Sequence, residues 1–151
     1  MKTFLVGLAA IVVLLTGCVS GPKYSEFSKS LAPVNSEKGR LVVYRKWKFV
    51  ALGTLPPVKL NGSKIGDSIL GGFFYDDLAP GQYKISTGIL ATTDLWVTVE
   101  KGQTQFVRIV DSTLVNGVMT ALDKTIPELV EPAIGEKEIQ DCFYTGSNPT
   151  K

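Results

Sequence analysis

Histidine is absent from the 151 residues, cysteine occurs only twice, and charge of either sign is nearly cancelled, with 16 Lys and Arg against 14 Asp and Glu. No other side chain titrates unperturbed between about pH 5 and 8, so Ser-His-Asp and Cys-His nucleophile systems, histidine proton shuttles and most zinc centres are excluded. A formal net charge of +2 does not supply the concentrated Lys and Arg face with which a nucleic-acid binder displaces counterions. No apolar run reaches the roughly 20 residues of a membrane-spanning helix. What is present, 44% hydrophobic and 9% aromatic residues, suits one modest globular domain rather than a disordered chain.

Met1-Lys2 precedes an uncharged apolar run from Phe4 to Leu15, followed by Thr16-Gly17-Cys18. This reads as a secretory signal helix over 1–17 with a one-lysine start. Small residues at Thr16 and Gly17 let a peptidase approach the backbone. Leu15-Thr16-Gly17-Cys18 resembles the bacterial lipobox. The resemblance implies cleavage between Gly17 and Cys18, a diacylglycerol thioether on the Cys18 sulfur, and an acyl chain such as palmitate on the new amino terminus. Two or three acyl chains anchor stably where one is marginal, at about 0.8 kcal/mol per buried methylene. The alternative is an ordinary secreted protein with a coincidental Cys18. Val19-Ser20 lacks the aspartate that marks inner-membrane retention in lipoproteins of double-membraned bacteria, so an outer membrane address facing the periplasm is expected.

Taking 17 from 151 leaves 134 residues, and losing Lys2 leaves 15 basic against 14 acidic side chains. The overall mean hydropathy of +0.17 then falls to about −0.07, because the signal carries the apolar excess. Lipidation of Cys18 leaves Cys142 as the sole thiol and excludes an intramolecular disulfide. Cys142 has no CxxC partner, and a buried structural cysteine is favoured over a redox-active or bridging one.

Residues 18–38 are polar and interrupted by Gly21, Pro22 and Pro33, which reads as a lipidated flexible tether spanning roughly 25 Å. Tyr24, Phe27 and Leu31 stand at helical spacing, allowing one short amphipathic turn on the membrane or the domain. From 39 to 144 the chain breaks into short β-rich runs punctuated by Gly, Pro and Asn, as in an all-β antiparallel sandwich of about seven strands. The unbroken apolar centre of Arg40-Leu-Val-Val-Tyr-Arg45 predicts a central strand covered on both sides. Asn61-Gly62 predicts a type I′ hairpin. Tyr83, Ile85, Thr87 and Ile89 alternate with polar residues, as do Leu95, Val97 and Val99, and Val107 with Ile109. Val118 to Leu122 is a further candidate strand, Glu128-Leu129-Val130 an edge strand, residues 133–140 a short helical turn, and 145–151 a frayed tail.

Arg40-Leu-Val-Val-Tyr-Arg45, Lys59-Leu60-Asn61-Gly62 with Ile65-Gly66, Gly72-Phe73-Phe74-Tyr75 and Pro80-Gly81-Gln82-Tyr83 together resemble the bacterial domain of unknown function 2846, found in small lipoproteins. The resemblance runs from about Arg40 to Cys142. It implies a sandwich like that of transthyretin or the carboxypeptidase regulatory domain, and brings no catalytic residues, metal or cofactor.

Arg45, Lys46, Trp47, Lys48 and Phe49 form a cationic and aromatic stretch directly after a strand, the candidate binding loop for anionic head groups or a wall polymer. Residues 51–57 form either an exposed contact surface or a flap over one sandwich end. Trp96 is out of phase with its strand's core residues, and is therefore exposed for binding or buried in a second layer. Asp76-Asp77, with Lys84, is the place for acid-base chemistry, but adjacent strand residues point to opposite faces and do not converge. The expected function is a non-enzymatic, lipid-anchored envelope protein that binds another envelope protein or wall glycan. The competing readings are a histidine-free hydrolase or lyase using Asp76 and Asp77, and a purely structural or stress-related lipoprotein.

Overall fold

The computed structural model describes residues 21–47, 55–89, 92–111 and 125–146. The elements are α1 (Tyr24–Ser30), β1 (Gly39–Arg45), β2 (Pro57–Leu60), β3 (Ser63–Asp67), β4 (Gly72–Leu78), β5 (Gly81–Thr87), β6 (Thr93–Val99), β7 (Thr104–Asp111), β8 (Thr125–Val130), α2 (Pro132–Glu138) and β9 (Phe143–Tyr144). The strands form a β-sandwich of two sheets, β8-β7-β1-β4-β9 and β3-β2-β5-β6. Most ladders are antiparallel, whereas β1 pairs with β7, and β4 with β9, in parallel. Residues 118–122 and the segment 48–54 lie outside the described residues.

Strand alternation explains the core. Every residue of β1 is buried, because its two faces meet different layers. Leu41 and Val43 point between the sheets, where they pack with Val58, Phe74, Ile85, Val97, Val107 and Ile109. Val42 and Tyr44 point the other way, into a second cluster with Tyr24, Phe73, Phe106, Val130, Ile139 and Cys142. That second cluster lies beneath the two helices, so the five-stranded sheet is the middle of three layers. The β2–β3 hairpin turns on Asn61 at φ 49° and Gly62 at φ 90°, the left-handed pair that a type I′ turn requires. The edge strand at Glu128–Val130 and the helical turn read over 133–140 are present as β8 and α2, and Pro132 opens α2 at a position where a missing N–H costs nothing.

Within the segment 18–38 read as a flexible tether, the part around α1 is packed on the domain, where the short helical turn read at Tyr24 and Phe27 is present as α1; residues 18–20 lie outside the described residues. Phe27 stacks on Tyr144, with centroids 4.5 Å apart and 13° between planes, and meets Phe73 edge-on at 5.6 Å. Tyr24 is buried against Phe73 at 5.2 Å, and its hydroxyl reaches Glu136 at 3.1 Å. Burial and the Glu136 carboxylate push its phenol up to about 12. The expected tail is also shorter: the Thr145 N–H and hydroxyl both donate to the Phe73 carbonyl, at 2.8 and 3.0 Å.

Candidate functional site

The end of β1 carries the candidate loop, and alternation separates its first two cations. Arg45 follows Leu41 and Val43 in phase, so it enters the space between the sheets and is 1% exposed. Its guanidinium is paired with both oxygens of Asp111 and donates to the Ser68 carbonyl at 2.8 Å. Arg45 is therefore a buried structural cation and not a surface ligand, a correction to the loop read from the sequence. Lys46 turns to the helix face, where its Nζ lies 3.1 Å from Glu138. Trp47 is 64% exposed. Lys48 and Phe49 lie outside the described residues, as do Leu15, Thr16, Gly17 and Cys18.

Glu138 is the centre of a polar network absent from the sequence reading. It accepts the Tyr44 hydroxyl at 2.7 Å and Arg108 Nη1 at 2.9 Å as well as Lys46, while Arg108 Nη2 donates to Glu128 at 2.8 Å. Burial would raise the Glu138 carboxyl, but three donors, Tyr44, Lys46 and Arg108, outweigh it and hold the group down to about 2. Burial and that same carboxylate raise the Tyr44 phenol. A cavity of about 300 Å³ opens beside the network, lined by Lys46, Arg108, Asp111 and Glu128. A second, of about 200 Å³, is lined by Lys46, Trp47, Gly71, Glu138, Asp141 and Cys142. Cys142 is buried, and burial pushes its thiol up to about 11, which suppresses the thiolate at neutral pH. The signal for the network was in the sequence: Arg108 interrupts an apolar strand, and a half-buried guanidinium demands a carboxylate.

Asp76, Asp77 and Lys84 are not brought together. Asp77 is clamped by Arg40 through two bonds, at 2.7 and 2.8 Å, and Arg40 also donates to the Ala32 carbonyl and lies 4.7 Å over the Tyr75 ring. Asp76 pairs across from Leu41 on the other face, and burial raises its carboxyl. Lys84 belongs to the second sheet, where its Nζ lies 3.5 Å from Asp94. No group of three or more Cys, Asp or Glu among the described residues is placed to hold a metal ion.

Trp96 is 65% exposed, between the inward-facing Leu95 and Val97, so it stands on the outer face of the four-stranded sheet. The register sets it opposite Lys84, with Gln82 and Thr98 in the next outward row. Trp47, two residues beyond the end of β1, and Trp96, within β6, are thus carried by different sheets. Residues 35–120, more than half of the chain, match the family model described as Protein of unknown function (DUF2846). No curated protein matches the chain.

Proposed function

The chain belongs to the DUF2846 family of proteins of unknown function, and on that premise we propose that it is a lipid-anchored, non-catalytic binding module of the bacterial envelope. The reading is carried by Leu15-Thr16-Gly17-Cys18 behind the apolar run from Phe4, which supplies both an export signal and an acylation site. Val19-Ser20 lacks the aspartate of inner-membrane retention, which supports an outer-membrane address facing the periplasm.

The ligand class follows from Trp96. An exposed indole on the outer face of the four-stranded sheet, in register with Lys84 and next to the row of Gln82 and Thr98, offers an apolar surface with polar residues around it, the arrangement a sugar ring of the wall glycan needs. The conspicuous charges are tied up in pairs, Arg40 with Asp77, Arg45 with Asp111, and Arg108 with Glu128 and Glu138, and Lys84 itself pairs with Asp94, which leaves the indole to lead the contact.

Expression of the full chain in a double-membraned bacterium fed a clickable palmitate tests the anchor. Label and membrane fractionation are expected for the parent and lost in Cys18→Ser; an unlabelled parent overturns the anchor. Sedimentation with isolated peptidoglycan tests the ligand. Trp96→Ala is expected to weaken binding about tenfold, equivalent to about 1.4 kcal/mol, and a parent that stays in the supernatant overturns the glycan assignment.

A further inference from the structure

Only Val19 and Ser20 separate Cys18 from Gly21, and immediately beyond Gly21 the chain is bound to the domain. The Pro22 carbonyl accepts the Tyr144 N–H at 3.0 Å, Lys23 forms an antiparallel bridge with Phe143, and the Tyr24 N–H donates to the Cys142 carbonyl at 2.9 Å. The Lys23 side chain adds an ion pair with Asp141 at 3.2 Å and lies 5.9 Å over the Phe143 ring. Three residue steps of fully extended chain reach at most about 11 Å. An acylated Cys18 therefore stands no farther than that from Gly21, less than half the span of the tether read from the sequence.

The surface around this attachment point is aromatic. Phe143 is 37% exposed and Trp47 64% exposed. The Phe143 N–H donates to the Gly71 carbonyl at 2.8 Å, and Gly71 lines one cavity with Trp47, Lys46 and Asp141. Trp47, Phe143, Lys23 and Lys46 thus gather at the end of the sandwich where the anchor enters.

We propose that this end of the domain is seated on the lipid bilayer, with Trp47 and Phe143 in the interfacial zone of the leaflet that holds the Cys18 acyl chains. The proposal rests on the anchor proposed above and deepens it, replacing a domain that swings on a tether with one held in a fixed orientation. Indole and phenyl rings favour the head-group level. Two rings alone bind a bilayer weakly, but a tether of about 11 Å makes the contact intramolecular, at an effective concentration in the millimolar range. Asp141 and Glu138 balance the two lysines locally, so the contact is apolar rather than electrostatic and is expected to resist salt. Trp96, outward on the other sheet, stays in water and serves as the internal control.

The test uses the full acylated chain in vesicles of phosphatidylethanolamine and phosphatidylglycerol carrying lipids brominated near the head group. Trp96→Phe isolates Trp47, and Trp47→Phe isolates Trp96; both replace exposed rings by a smaller one, and circular dichroism checks folding. Trp47 emission is expected to be quenched at least about twofold more than that of Trp96. Inserting about ten Gly and Ser residues after Ser20 lengthens the tether and is expected to abolish the difference. Equal quenching of the two indoles, with mass spectrometry showing Cys18 acylated, overturns the seating and leaves the anchor standing. An N-terminal peptide without acyl groups overturns the anchor and the seating with it.

Discussion

Arg45 shows how a single side chain changes meaning when strand phase is applied to it. In sequence it opens a run of cations and aromatics; in phase with Leu41 and Val43 it is a guanidinium between two sheets, 1% exposed. Its pairing with Asp111 offsets a desolvation cost that neither group can bear alone. Asp111→Asn is therefore expected to lower unfolding free energy by about 3–5 kcal/mol, because the remaining cation stays buried, whereas Arg45→Met with Asp111→Leu is expected to recover most of that loss. Urea denaturation of the three proteins decides, and equal loss in the single and double variants would show that the pair does not act as a unit.

Glu138 makes the complementary case for a carboxylate. Its folded-state value, about 2, lies below its ordinary value of 4.5, so the folded state favours the ionised form. The stabilisation is fully present above about pH 4.5 and is lost as pH falls through about 2. Glu138→Gln is expected to flatten the decline of thermal stability across that window while also lowering stability at neutral pH. A variant whose profile retains the parent's slope would place the acid-sensitive group elsewhere.

At the scale of elements, close approach governs how the helices cover the five-stranded sheet. Gly135 sits inside α2 where a Cβ would come 2.4 Å from Cγ of Phe106, so α2 can lie on β7 only without that atom. Alanine would gain about 1 kcal/mol of helix propensity over glycine, but overpacking of this kind costs about 1–3 kcal/mol, and so close a contact belongs at the upper end. Gly135→Ala is expected to lower the melting temperature, and an unchanged or raised value would mean that α2 shifts freely on the sheet. Elements were unevenly legible. β1 and the Asn61-Gly62 hairpin were readable because a continuous apolar run and a left-handed turn are local properties. The helical spacing of Tyr24 and Phe27 was readable too, yet their destination was not, because Phe73 and Tyr144 come from distant parts of the chain. The Glu138 network was legible only in part: Arg108 inside an apolar strand signals a carboxylate partner, but Tyr44, Lys46, Arg108 and Glu128 converge only once β1, β7, β8 and α2 are stacked.

For the whole molecule, a sandwich of two open sheets must keep its edges from pairing with other chains. The β9 edge is covered by the bridge from Lys23. The β3 edge carries Lys64 and Asp67, paired at 2.9 Å, beside a register shift at Val58/Lys59. β6 packs against β8 of the facing sheet. The β8 edge holds Pro127 opposite Ile109, and proline is tolerated on an edge strand where the missing N–H would point away from its neighbour. It therefore removes a donor from the row that an incoming strand would use, next to Leu129, which is 51% exposed. Pro127→Val keeps an apolar side chain toward Ile109 and restores that donor. The variant is expected to shift toward larger species with rising concentration in sedimentation velocity, relative to the parent at equal concentration, with unchanged circular dichroism. Profiles that superimpose at all concentrations would mean that Pro127 does not guard this edge, and that the protection of β8 lies in its twist and in its packing on β6.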